Sequence, residues 1–128
     1  NMLDNANLRA TMLMALKDSG KEIHTRSCFL QGLFFKDSNA LPEKLEPLRF
    51  YLDEIKSIAN DNKLDIGHLA LQYCLTKPYI DKVLIGVESM EQLNLNLQWS
   101  SVVIKAEALL AIDQINVATI ELLNPSKW

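Results

Sequence analysis

The chain has 128 residues, enough for one domain that buries a substantial core. Apolar residues make up 48% and charged residues 23%, which is the balance of an ordinary soluble globular protein. The net charge is −3 and the basic residues are scattered, so a nucleic-acid interface is not expected. The sequence also has no apolar run long enough to predict a membrane span.

The first third of the chain predicts a helix, a strand and a loop. Asp4 is placed to cap the helix and Gly20 to end it. Residues 22–27 predict a short strand, which runs into an apolar segment, and residues 36–46 are polar and long enough for a functional loop. The apolar positions of the first helix recur at helical spacing: Leu8, Met12, Ala15 and Leu16.

Two further helices are predicted in the middle of the chain. Pro47 suits a first helical position, and the helix that it opens should end near residues 60–62. Asp65 is placed to cap the next helix, residues 66–75, which is apolar nearly all round and therefore expected to be buried. The stripe that the first of these helices should bury consists of Leu48, Tyr51, Leu52, Ile55, Ile58 and Ala59.

The last part of the chain predicts a strand and two helices. Residues 83–85 form a short apolar strand, and the helices are expected at about 89–98 and 105–117. The long crossover between the two strands predicts parallel, right-handed pairing. Because two parallel strands cannot close a sheet, the chain is expected to be part of a larger fold.

Residues 85–96 are the most informative segment. Gly86 predicts a turn, Ser89 begins a helix, and the amides of Gln92 and Asn96 fall one turn apart on one face. A helix that follows a parallel strand points its free N–H groups at the carboxyl edge of the sheet, where anionic ligands collect. On spacing alone, Ser89 and Gln92 also fit a capping box, in which the side chains satisfy the helix's own N–H groups.

The cysteines and histidines do not by themselves indicate a catalytic site. Cys28 and Cys74 lie in apolar surroundings, where two buried free thiols are favoured over a disulfide, and this indicates a reducing, cytoplasmic setting. His24 and His68 are expected to be ordinary packed or surface residues. No nucleophilic triad, carboxylate pair or metal-ligand spacing is present.

Three segments, residues 27–33, 58–73 and 85–96, together resemble the motifs of one enzyme family, the aldo-keto reductases. These are (β/α)8-barrel enzymes that use a nicotinamide cofactor. Residues 27–33 resemble the Ser-Pro-Leu-x-x-Gly-Leu segment after the seventh strand, which wraps the cofactor pyrophosphate. Residues 58–73 are similar to the seventh-helix pattern, and residues 85–96 to the eighth strand and helix, which hold the adenosine end. The resemblance spans the whole chain. It implies an α/β fold in which residues 1–128 form a single domain. This domain is expected to be the C-terminal part of the TIM barrel, from about strand six, and to be mostly helical with two short parallel strands.

The resemblance also implies a nicotinamide dinucleotide, NAD or NADP, as the binding partner. The family's catalytic Asp, Tyr, Lys and His are expected before Asn1, so no catalytic residue and no metal ligand is assigned to this chain. Glu88 stands where the family often has a residue facing the 2′-phosphate, and a carboxylate there favours NAD over NADP. Cys28 replaces the usual proline, and Leu95 a frequent acidic residue. The implied cofactor contacts are Ser27, Phe29, Gln31, Gly86, Glu88, Gln92 and Asn96.

Two functions are therefore expected. One is the cofactor-side portion of an NAD(P)-dependent oxidoreductase whose parent protein reduces carbonyl or sugar substrates. The other is a non-catalytic half-barrel that serves as an oligomerising structural or interaction module, because open strand edges and uncovered apolar faces favour pairing with another copy. A homo-oligomer is expected in both cases, and an unrelated helical binding domain is the third possibility.

Overall fold

The computed structural model describes residues 1–5 and 7–128, without the side chains of Asn7 and Leu8. Within these ranges the chain is mostly helical, with two very short strands. No described helix has both the length and the apolar character needed to cross a membrane. The helices are α1 (Asn7–Asp18), α2 (Arg49–Asp61), α3 (Ile66–Leu75), α4 (Met90–Ser101) and α5 (Ala106–Asp113), and the strands are β1 (His24–Thr25) and β2 (Lys82–Val83). Short 3-10 helices cover Leu30–Phe35, Ser38–Ala40, Glu43–Leu48, Ile120–Leu123 and Pro125–Lys127.

The two strands pair in parallel, as the long crossover predicts. His24 is opposite Lys82 and Thr25 is opposite Val83. Both strands are shorter than predicted. At one end, the Asp81 carboxylate accepts the Ile23 N–H at 2.8 Å in place of a strand partner. Just past the other end of β1, the backbone at Ser27 is no longer extended, so the ladder stops after two residue pairs.

Helix α1 ends as predicted but does not bury its apolar positions. Gly20 has φ +81°, its N–H donates to the Lys17 carbonyl at 2.8 Å, and the next N–H donates to the Leu16 carbonyl at 3.2 Å, a Schellman ending. Met12 and Leu16 are 57% and 43% exposed, because no described element covers this side of α1. Leu8, another predicted position, lies outside the described side chains.

Helix α3 is the centre of the fold. All of residues 67–74 are buried, as expected from its apolar sequence, and α3 contacts α2, α4, α5, β2 and the 3-10 helix Leu30–Phe35. Asp65 precedes α3 but makes no capping hydrogen bond with its side chain. Helix α2 buries Leu52, Ile55 and Ala59 of its predicted stripe.

The predicted start of α2 at Pro47 is wrong. Pro47 lies within the 3-10 helix Glu43–Leu48, and α2 begins at Arg49. The Arg49 N–H donates to the Glu46 carbonyl, three residues back, which keeps this stretch in the tighter 3-10 winding. The polar segment 36–46 is likewise not a plain loop, since it contains the 3-10 helix Ser38–Ala40 and the first part of the 3-10 helix Glu43–Leu48.

Candidate functional site

A cleft of about 800 Å³ opens where the chain leaves the two strands. Its walls come from the loop after β1, the connection between β2 and α4, and one face of α4. The fold thus brings together segments that are far apart in sequence. All of the predicted cofactor contacts line this one cleft, namely Ser27, Phe29, Gln31, Gly86, Glu88, Gln92 and Asn96.

The loop after β1 forms the first wall and has an unusual backbone. Ser27, Leu30 and Gln31 have φ of 62°, 46° and 55°, a region that non-glycine residues rarely adopt. Such residues cost on the order of 1–3 kcal/mol each and persist only where the surroundings fix them. Leu30 is fully buried, and its N–H donates to the Ser27 carbonyl at 2.9 Å. The wall is therefore held in shape by the core.

Cys28 anchors the same loop. Cys28 and Cys74 are both free and buried, as expected, and they pack with Leu71 in a small apolar cluster. Burial raises the pKa of the Cys28 thiol to about 12, and the neighbouring Cys74 adds to the shift. The thiol is consequently neutral at physiological pH and serves as a packing group, not a nucleophile.

The start of α4 forms the second wall and caps itself. The Ser89 hydroxyl accepts the Gln92 N–H at 3.2 Å, and the Gln92 side-chain oxygen accepts the Glu88 N–H at 2.9 Å. The pKa of Glu91 is lowered by hydrogen bonds from its own backbone N–H and from Ser89. The helix start therefore already has a carboxylate of its own, and it is less suited to an anionic ligand than the sequence alone suggested.

Asn96 lies one turn further along α4 and is the unusual polar residue of the cleft. It is only 6% exposed, and its Oδ1 atom has no hydrogen-bond partner among the described residues. A buried acceptor without a partner costs about 1–3 kcal/mol. This oxygen can accept a hydrogen bond from a ligand that enters the cleft.

A model of the Aldo/keto reductase family matches residues 1–117 of the 128-residue chain. The chain belongs to the aldo/keto reductase family. Its mostly helical structure with two short parallel strands is consistent with part of the family's TIM barrel. A search of curated proteins gave no match.

In this family member, two side chains of α3 hold α4 in place. The His68 ring nitrogen Nε2 lies 2.7 Å from the Val102 carbonyl, and therefore carries the proton of this bond. The Gln72 amide donates to the carbonyls of Trp99 and Ser100 at 2.7 and 3.3 Å. These carbonyls lie at the end of α4, where the helix leaves them without internal partners. His68 is thus packed, as expected, but its role in positioning the cleft wall was missed.

Trp99 completes the wall between α4 and α3. Its ring stacks on His68 with centroids 6.5 Å apart and planes 5° apart. The ring approaches Gly67 so closely that a Cβ atom there would lie 2.3 Å and 2.4 Å from its carbons. Gly67 therefore permits the indole to lie against α3, and the indole in turn lines the cleft.

The lining of the cleft combines apolar surface with a few polar side chains. Its lining is largely apolar, with four uncharged polar side chains, one arginine and one glutamate. The other histidine, His24, lies outside the cleft and pairs with Glu22 at 3.1 Å. Within the described ranges, no group of histidine, cysteine and acidic residues could hold a metal ion.

Proposed function

We propose that this cleft binds the nicotinamide dinucleotide of an aldo/keto reductase. The chain would then be the C-terminal, cofactor-side portion of an oxidoreductase that reduces carbonyl or sugar substrates, with no catalytic residue of its own. The observation that supports this most is the Asn96 oxygen, which is buried, has no hydrogen-bond partner in the described part of the chain, and lies on the same helix face as Gln92. The family generally uses NAD(P)H, which fits the proposal.

The two amides of α4 suit the edge of an adenine ring. That edge presents both a donor and acceptors, and an amide offers both kinds of group. Gln92 keeps its oxygen in the helix cap, so it has only its N–H groups for a ligand. Asn96 contributes the free acceptor. Phe29, Leu95 and Trp99 add apolar surface to the same cleft, which limits competition from water.

Glu88 directs the preference between the two nicotinamide cofactors. It is exposed and lines the cleft beside the start of α4. A carboxylate about 4 Å from a 2′-phosphate is repelled by on the order of 1 kcal/mol per charge pair even in water. A free ribose hydroxyl can instead donate a hydrogen bond to the carboxylate. We therefore propose NAD as the preferred cofactor.

Nucleotide titration tests both the site and the preference. In a Trp128→Phe background, Trp99 is the remaining tryptophan and reports on the cleft. We expect NAD to quench it at a concentration about tenfold lower than NADP, and Glu88→Ser to remove most of that difference. Glu54→Ser, an exposed site on α2, is the matched control. Tighter binding of NADP by the unsubstituted chain would contradict the role of Glu88.

A second candidate function is a non-catalytic module that assembles with itself. The described structure has a two-stranded sheet with both outer edges unpaired. It also exposes large apolar side chains, of which Val103 is 79% exposed. Exposed apolar surface beside open strand edges favours pairing with another copy. Others of this kind are Met12, Leu84, Met90 and Leu97.

Light scattering distinguishes this candidate from a free monomer. We expect a homodimer or a larger assembly at micromolar concentration, and we expect Val103→Asp with Leu97→Asp to shift it toward monomer. Phe50→Asp is the control, because Phe50 is an exposed apolar residue on α2. A monomer that binds no hydrophobic dye would contradict the self-assembling module. If that monomer binds nucleotide, the proposed dinucleotide site is still supported.

The cellular setting that we propose is the cytoplasm. Both cysteines are free although they pack in the same small cluster. Buried thiols that are not joined in a disulfide fit a reducing compartment.

A further inference from the structure

Helix α4 carries both amides of the proposed site, yet apolar packing attaches it only weakly to the core. Its one buried side chain is the polar Asn96, and Leu93 and Trp99 are partly buried. Most helices in folded proteins are held by burial of an apolar face, so α4 depends more than usual on other contacts. Its remaining large apolar side chains are exposed, namely Met90, Leu95 and Leu97.

Two buried polar side chains of α3 supply those contacts. The Gln72 amide donates to the Trp99 carbonyl at 2.7 Å, and the His68 Nε2 atom lies 2.7 Å from the Val102 carbonyl. Gln72 also reaches the Ser100 carbonyl at 3.3 Å. Because both side chains are buried, water competes little with these hydrogen bonds. The attachment of α4 is therefore largely polar and is concentrated at its C-terminal end.

This attached end lies close to the acceptor proposed for the ligand. Asn96 precedes Trp99 by three residues, so the two side chains lie on one face of α4, and both line the cleft. A helix moves as a unit over neighbouring turns, so a shift of the Trp99 carbonyl also displaces the Asn96 amide. Hydrogen bonds tolerate changes of only a few tenths of an ångström in the distance between donor and acceptor.

We propose that Gln72 and His68 are positioning residues that set the affinity of the cleft for its nucleotide, an assignment that rests on the proposed dinucleotide site. Neither side chain is among the described residues that line the cleft, so both act through α4 and not by contact with the ligand. Without these bonds, only molecules with α4 docked on α3 bind, and the apparent Kd rises as that fraction falls. By linkage, a bound nucleotide strengthens the docking of α4.

Calorimetric titration with NAD measures the effect on affinity in the full chain. Gln72→Met keeps a side chain of similar length but removes the donor, and we expect it to weaken NAD binding about three- to tenfold. We expect the same of His68→Leu, whereas His68→Gln retains an N–H donor and should restore most of the affinity. Gln98→Met is the matched control, because Gln98 is exposed on α4, and it should bind NAD as the unsubstituted chain does.

Hydrogen exchange of the same samples distinguishes positioning from a general loss of stability. We expect the amides of α4 to exchange faster in Gln72→Met and His68→Leu while those of α2 keep their protection. Saturating NAD should slow the exchange of α4 in the unsubstituted chain, a measurement that requires no variant. Circular dichroism of each variant checks that the fold is retained.

The outcomes separate the positioning role from the dinucleotide site. Unchanged NAD affinity in both Gln72→Met and His68→Leu would overturn the positioning role and leave the site standing. Equal losses in His68→Leu and His68→Gln would overturn the part assigned to the donor of His68. Faster exchange throughout the chain, and not in α4, would show that the two residues only stabilise the fold. If the unsubstituted chain binds no NAD, the dinucleotide site is wrong, and the positioning role is wrong with it.

Discussion

Replacing Gly67 with alanine is expected to lower the free energy of unfolding by about 1–3 kcal/mol, as overpacking does in other cores. A Cβ atom there would lie 2.3 Å and 2.4 Å from Trp99 ring carbons and 3.2 Å from a Phe35 ring carbon. Alanine favours a helix over glycine by about 1 kcal/mol, which acts in the opposite direction. The overlap is expected to dominate because the indole has to move away and lose its packing against α3.

Urea unfolding and Trp99 emission together measure this effect. We expect a lower midpoint and a shifted emission maximum, since the indole must leave its position against α3. Gly86→Ala is the matched control, because a Cβ at Gly86 has nothing within 4 Å and φ there is not positive. Its stability should change by less than about 0.5 kcal/mol. Unchanged stability and emission in Gly67→Ala would mean that Trp99 does not pack on Gly67.

The helices and the crossover could be predicted because their signals are local. The stripe on α2 and the apolar sequence of α3 follow from helical periodicity, and both helices pack as predicted. The parallel pairing follows from the length of the connection between β1 and β2. The residues predicted to contact a cofactor were selected by motif resemblance, and the topology places them in one cleft.

The missed features depend on tertiary contacts. The positive φ at Ser27, Leu30 and Gln31 could not be predicted, because these positions are not glycine and packing in the core enforces their conformation. The bonds from His68 and Gln72 to the end of α4 depend on how two helices meet. One signal was available, since polar residues four apart in an otherwise apolar helix indicate a shared buried partner.

Strand length and the exposed side of α1 share one physical explanation. A strand extends only as far as it has a partner for its hydrogen bonds, so the apolar run of residues 83–85 did not fix the length of β2. In the same way, helical spacing identifies an apolar face of α1 but not the surface that would cover it. Both features depend on neighbouring elements and not on the segment itself.

Replacing Asn96 with leucine should separate binding from stability. In the free chain, its buried Oδ1 finds no partner among the residues that the structure describes, which costs about 1–3 kcal/mol. A γ-branched apolar residue of similar shape should therefore leave stability unchanged or raise it. In the bound chain, the same substitution removes the acceptor and leaves a ligand donor without a partner. We expect the affinity for NAD to fall about 10- to 100-fold.

Calorimetric titration and thermal unfolding of the same samples measure the two effects. Asn94→Leu is the matched control, because Asn94 is exposed on the same helix, and it should change neither quantity by much. If Asn96→Leu loses stability and affinity together, the amide is a structural group that water satisfies in the free chain. If affinity falls while stability holds or rises, Asn96 contributes to ligand binding and not to the stability of the fold.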